Sequence, residues 1–330
     1  MEKEHNIQLT SAEMSYLWSA YQADTLSLQM FKYFLVHIED KEIENLIRHA
    51  LDLSQQHIEI LEKMFKDEGM HIPQGFGDAD VNIAAKRLFS DSFYLLFLKH
   101  MAQGGLVTYS RALPLVFRED VLSYFSKCMT SVTELNKEVT DVLLEKGLAV
   151  LPPYIPVPKE IEFVKKQSFV LEGLGNGRPL LGPEIASLFK NIQTNYMGTT
   201  LCTAYAQVTQ SKKLQKLFLR GKSIALKHVD IFSDYLKRQS LPVPMSSDQM
   251  VTESTDASFS DKLMFYQFSM MMYSGVGNYG ASISESQRSD LVMDYSRLLM
   301  EVMKFSEDIM NVMIENEWLE KAPSAIDRKK

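Results

Sequence analysis

Cysteine is nearly absent: Cys128 and Cys202 are the two in 330 residues. That excludes a disulfide scaffold and suits a reducing compartment. Neither lies in a CxxC or a Cys/His cluster, so structural zinc and thiol chemistry lack support, and both read as small buried hydrophobes. An excess of positive charge is missing as well. The net charge of -7 argues against nucleic acid, whose affinity comes from Lys and Arg neutralising phosphates. Arg328, Lys329 and Lys330 make only a short basic end, read as a solvated tail. No run approaches the roughly 18 apolar residues a spanning helix needs, and the densest, 93–98, has the length of a core helix. The first ten residues are polar and charged, unlike a secretory leader. The expectation is a cytoplasmic protein with no membrane span.

Several familiar sites are missing too. The run Gly173-Leu174-Gly175-Asn176-Gly177 has no strand before it and no Gly-Lys-Ser/Thr after it, so it is a linker rather than a phosphate loop. Asp78-Ala79-Asp80-Val81-Asn82 begins like a calcium loop, but Ile83 stands where glycine is required and Phe89 where the bidentate Glu belongs. No Ser-His-Asp arrangement can be drawn. The nineteen methionines, Met270-Met271-Met272 among them, suit pliable core packing better than a soft-metal site.

What is present is apolar and repeated. With 45% hydrophobic and 23% charged residues, the composition is that of a soluble globular protein with material for two cores. At an offset of 171, Glu13 falls on Glu184, Leu17 on Leu188, His57 on His228 and Pro73 on Pro244, without a gap. At an offset of 170, Phe89-Ser90-Asp91 falls on Phe259-Ser260-Asp261, Tyr109 on Tyr279 and Arg118 on Arg288. The offset changes inside a loop, where insertion is tolerated.

Each copy reads as four helices. Thr10 with Glu13 has capping-box form, and Pro183 sits in the first turn of the matching helix. Leu17, Tyr21, Leu28, Phe31 and Leu35 recur at helical spacing. The second helix is expected to end near Gly69, the third to run over 90–116 with Pro114 kinking or ending it, and the fourth to stop at Gly147. Their connections are short, long, short, which lets the long one cross the bundle as in ferritin-like folds. The expected architecture is all-α: two tandem ferritin-like four-helix bundles, 1–150 and 181–330. A Pro/Gly-rich linker, 151–180, joins them and carries a short amphipathic segment over 160–171.

Two polar residues interrupt the apolar stripes of the first hairpin. Asp24 lies sixteen residues before the corner at Asp40 and His57 seventeen after it. In an antiparallel pair they meet at one height, to within about one 1.5 Å rise. Asn195 and His228 repeat this about Ser211. Groups of this kind must be hydrogen-bonded or bound to a metal. A paired-iron site wants Glu-x-x-His, but Ser54 and Ala225 stand three residues before the histidines. The fourth-helix stripes, Val121 to Val142 and Leu291 to Val312, add only the Tyr295 hydroxyl. A di-iron oxidase is therefore argued against. The favoured reading is an Asp-His and an Asn-His hydrogen bond fixing helix register. A degenerate site for one transition-metal ion would draw on Asp24, His57, His100, Asn195 and His228. Gly104-Gly105 and Gly275-x-Gly277 mark close helix contact or room for a ligand.

The tandem bundles, the proline-rich linker followed by Phe163-Val164-Lys165-Lys166-Gln167-Ser168-Phe169, and the turn Gly177-Arg178-Pro179-Leu180 together resemble a known family. It is the duplicated ferritin-like family of endospore-forming bacteria, catalogued as a domain of unknown function and often labelled as spore coat protein. The resemblance spans nearly the whole chain and implies a ferritin-like fold and a place in the spore coat. It brings no catalytic residues with it. The sequence itself names no reaction. The reading is a non-enzymatic structural or interaction protein, without a cofactor, acting through protein partners or self-association. A metal-binding or redox protein and a carrier of a small apolar molecule are the alternatives.

Overall fold

The computed structural model describes residues 7–171 and 178–328. The glycine run at 173–177, including Gly177 of the Gly-Arg-Pro-Leu turn, lies outside the described residues, as do Lys329 and Lys330. Among the described residues every long element is a helix. The first four are α1 (Ser11–His37), α2 (Lys41–Asp67), α3 (Asp91–Ala112) and α4 (Glu119–Glu145). A single turn, α5 (Ser168–Leu171), precedes α6 (Gly182–Val208), α7 (Lys212–Arg238), α8 (Asp261–Glu285) and α9 (Ser289–Glu315).

The chain divides into two compact units. The first is Met1–Ala149 with Ser258–Leu263 and Glu317–Lys330; the second is Val150–Ala257 with Met264–Asn316. In the first, α1 packs along α2 and α3 along α4, with α2 touching both α3 and α4. Leu17 and Tyr21 from α1, Leu61 and Phe65 from α2, Ala112 from α3 and Phe125 from α4 meet in one core. The second unit builds the equivalent core from Leu188, Phe232, Tyr279 and Tyr295 of α6, α7, α8 and α9.

Helix ends fall where local chemistry sets them. The Asp40 side chain accepts from the Glu42 and Ile43 amides to start α2, and Ser90 and Ser211 cap α3 and α7. Gly69 and Gly147 follow α2 and α4 with φ of 64° and 65°, the left-handed conformation that closes a helix. The second copy has Ser240 and Glu317 at these two places, with φ of 54° and 57°. Pro114 shortens α3 relative to expectation: the helix stops at Ala112 and a 3-10 turn, Leu113–Leu115, takes over. The amphipathic segment expected over 160–171 is helical only in α5; the residues before it are irregular and exposed.

One acidic residue in each copy ties the first helix to the fourth. Glu13 completes the capping box with Thr10. Its Oε1 also accepts from the Phe117 and Arg118 amides, at 2.9 and 2.8 Å, ahead of α4. Glu184 repeats the arrangement on the Gln287 and Arg288 amides, at 3.0 and 3.1 Å. Both carboxylates are fully buried. Arg178 joins Glu184 through two bonds of 2.9 and 2.8 Å and lies over the Phe169 ring at 4.2 Å. The linker residues quoted above thus fasten to the second copy's first helix.

Burial pushes the Glu13 carboxyl up, but bonds from the Arg118, Thr10 and Phe117 amides outweigh it and hold the group below 4.5. A lowered acid stabilises the fold fully above its unfolded value, and that stability is lost as pH falls through the folded value. Glu13→Ala should therefore cost about 3 kcal/mol at neutral pH, since it orphans several backbone donors. The difference from wild type should shrink below about pH 4.5. Chemical denaturation at several pH values checks both statements.

Candidate functional site

At mid-height in the first unit, Asp24 of α1 and His57 of α2 meet as their spacing requires, with Nδ1 to Oδ1 at 3.3 Å. Their side chains are 11% and 13% exposed. Burial pushes the Asp24 carboxyl up, against the hydrogen bonds from His57 and Ser54 that pull it down. For His57 burial acts downward, yet the bonds to Asp24 and Cys128 outweigh it and push the imidazole up to about 10. The hydrogen bond between them thus favours a proton on the ring, while burial works against charge on both groups.

The other face of His57 corrects the reading of the fourth helix as chemically inert. Cys128 sits in the apolar stripe of α4, and its Sγ lies 3.5 Å from His57 Nε2. It is 1% exposed, so it is buried as expected, but it is a partner of the histidine as well as a hydrophobe. Tyr109 of α3 and Tyr124 of α4 bring their hydroxyls to the same sulfur, and burial pushes both phenols up. The Tyr124 ring stands edge-on to His57 with centroids 5.8 Å apart.

His100, the other residue considered for this site, lies on α3 nine positions before Tyr109. Nine residues are about 13.5 Å of helix, so Tyr109 is the α3 residue level with the pair.

The second unit differs in detail. Asn195 does not bond His228 directly; the Tyr279 hydroxyl stands between them. Asn195 Nδ2 donates to the Tyr279 oxygen at 2.9 Å, and that oxygen is 2.8 Å from His228 Nδ1. His228 Nε2 is 3.1 Å from Glu301 Oε2 on α9, and Lys227 bonds the same carboxylate. Burial lowers the His228 pKa, only partly opposed by Glu301, so the ring is neutral at pH 7. A carboxylate accepts only, so the ring hydrogen sits on Nε2, and Nδ1 accepts from Tyr279. The chain therefore runs one way, from Asn195 to Tyr279 to His228 to Glu301.

Tyr109 and Tyr279 are equivalent, and a tyrosine recurring on the third helix of both copies was the available signal for this layer. Glu301 had none: it flanks the stripe of α9 and enters only through the rotation of its helix. A cavity of about 70 Å³ adjoins His228, with Asn195, Gly198, Gly221, Met271, Met272 and Gly275 in its wall. A Cβ on Gly275 would meet nothing within 4 Å, whereas one on Gly105 would lie 2.9 Å from Val132. Equivalent glycines thus serve close packing in one copy and open space in the other.

The geometry does not fit a paired-iron centre. Ser54 and Ala225 occupy the Glu positions, and among the described residues no three His, Cys, Asp or Glu side chains converge on a point that could hold a metal. Among the described residues no helix is long and apolar enough to cross a membrane.

The fold and site define an all-helical protein of two tandem repeats, each with a histidine wired into a buried polar layer. The chain belongs to the family described as Protein of unknown function (DUF3231), whose model matches residues 2–161 and again 168–330. It is 25% identical over 141 residues to the uncharacterized protein YvdQ of Bacillus subtilis (strain 168), which covers 42% of this chain and 83% of that protein. A crystal structure of a "putative spore coat protein" from Bacillus halodurans C-125 is 22% identical, with a TM-score of 0.42, covering 46% of this chain and 98% of that one.

Two measurements test the polar layers. His57→Ala leaves the Asp24 carboxylate buried alone and should cost about 3–5 kcal/mol, while Asp24→Leu with His57→Leu should be far milder. Unfolding in the presence of chelator decides it; a double variant no more stable than His57→Ala would show that the pair is not the source of the cost. By nitrogen-15 NMR at neutral pH, His57 should carry hydrogens on both ring nitrogens and His228 on Nε2 alone. Raising the pH should remove the His57 contribution as it passes about 10, since a raised histidine stabilises below its unfolded value.

Proposed function

We propose that this chain is a non-enzymatic structural or interaction protein of the spore coat, built from two ferritin-like bundles that have given up iron chemistry. The observation that carries the reading is the fate of the two mid-height histidines. Each has both ring nitrogens beside a protein group, so neither presents a free nitrogen to a substrate. Such layers fix helix register, and a register device is what a scaffold keeps when a cofactor site is lost. The spore coat comes from the resemblance carried by the tandem copies and the linker motif. The linker also supplies surface for protein partners or self-association: Tyr154, Val157, Ile161 and Phe163 are 87%, 83%, 84% and 77% exposed.

The cavity beside His228 favours a second reading, in which the second unit carries a small apolar molecule. Its volume is about half that of engineered apolar cavities that take up benzene. Only a molecule of a few heavy atoms would fit.

A fluorescent fusion followed through sporulation tests the first reading, together with an assay for iron oxidation by the purified protein. The fusion should collect at the forespore surface, and the protein should not consume oxygen with iron. Even distribution through sporulation, or oxygen-dependent iron turnover, would overturn the proposal.

A further inference from the structure

Leu291, Tyr295, Leu298, Phe305, Ile309 and Val312 turn one face of α9 into the core of the second unit. The opposite face is apolar as well. Met293, Met300, Met303, Met310 and Ile314 are between 47% and 71% exposed. Steps of three and four residues align them, with Ser296 and Glu307 in the two gaps, along about 33 Å of helix. That is the a/d pattern of a coiled-coil seam, sustained over three heptads. An exposed seam of this kind marks a place of association.

The first copy shows that the bundle itself does not require it. At the offset of 170, Ser123, Thr130, Thr133 and Thr140 stand on α4 where α9 has its four methionines. The outer face of the fourth helix is thus hydroxylated in one copy and apolar in the other, although both cores are built alike.

We propose that α9 pairs antiparallel with α9 of a second molecule of this chain, forming a two-fold dimer through the second unit. The seam is complementary to itself in one register. With Met300 facing Met303 across the axis, Met293 faces Met310 and Ser296 faces Glu307. Each of the four methionines then meets a methionine, and the two polar positions meet each other. Methionine is unbranched and adaptable, which suits a side chain packing against its like. Charge selects the direction. Arg297 follows Ser296, its side chain is half exposed, and it bonds Asp294 on its own helix. In the antiparallel register it also comes beside Glu307 of the partner molecule. A parallel pair in register would set Glu307 against Glu307 within the seam, a like-charge contact that opposes association. The inference rests on the interaction reading above and gives it a partner; a missing dimer and a misplaced fusion are separate outcomes.

Sedimentation of the intact chain over about 1–100 µM should show a reversible monomer–dimer equilibrium governed by mass action. Met300→Lys with Met303→Lys should weaken it about 100-fold or more while circular dichroism stays unchanged, since both side chains lie outside the core. The matching change on α4, Thr130→Lys with Thr133→Lys, should leave the dimer as it is. Glu307→Arg should weaken it, and adding Arg297→Glu should restore it. A short bismaleimide reads the register. Met293→Cys chains mixed with Met310→Cys chains should cross-link, whereas Met293→Cys alone should not, its two sites lying about 25 Å apart. Both native cysteines are buried and stay out of the reaction. A monomer across the whole range overturns the proposal. So does a dimer that the Met300 and Met303 changes leave intact, or one in which Met293→Cys cross-links to itself.

Discussion

Glu13 and Glu184 hold together what the rest of each copy assumes. Each sits in the first turn of its first helix and accepts from amides that precede the fourth. An open helix start leaves several amide donors without partners, and burying them unpaired would cost more than a small core returns. One carboxylate per copy serves two helix starts at once. With that end of the bundle fixed, the heights of Asp24, His57, Asn195 and His228 follow from counting residues along straight helices. The polar layer sits where it does because the helix ends are fixed.

The same layer then behaves oppositely in the two copies. In the first, a buried carboxylate faces His57 and holds a proton on the ring. In the second, the residue at that place is an amide, a tyrosine hydroxyl intervenes, and a half-exposed carboxylate shared with Lys227 leaves the ring neutral. Duplication kept the histidine and the tyrosine while exchanging the groups that set their charge. Register needs only that the partners be satisfied, and either set of hydrogens satisfies them.

Much of this was legible in the sequence because it depends on period and punctuation. Thr10 with Glu13, Asp40, Gly69, Pro114 and Gly147 announce helix ends through local backbone chemistry. The height match of Asp24 and His57 needs only the rise per residue. Cys128 is the buried residue its stripe implies, but its contact with His57 was hidden, because a thiol in an apolar stripe looks like any small hydrophobe until the facing helix is placed. Glu301 was invisible for a related reason: it flanks its stripe, and only the rotation of α9 brings its carboxylate to a ring nitrogen. The Asn195–His228 bond failed because pairing by height says nothing about a third side chain entering between two others. Arg178 shows the reverse case, a linker residue noticed as part of a resemblance whose physical task emerges only with Glu184 and Phe169 beside it.

The one-way chain in the second copy constrains how the protein can change. Both hydrogens of the Asn195 amide are committed, one to the Asn191 carbonyl and one to Tyr279. A carboxylate there would accept where the amide donates. Tyr279 would have to turn its hydrogen around, and His228 would have to supply the proton it now receives. One atom exchanged at the head of the chain reverses the bonds behind it as far as His228, whose ring would then carry hydrogens on both nitrogens to keep Glu301 as its acceptor. The two repeats, alike enough to superpose in sequence, cannot trade this residue singly: ancestry made them interchangeable and proton direction has since made them distinct.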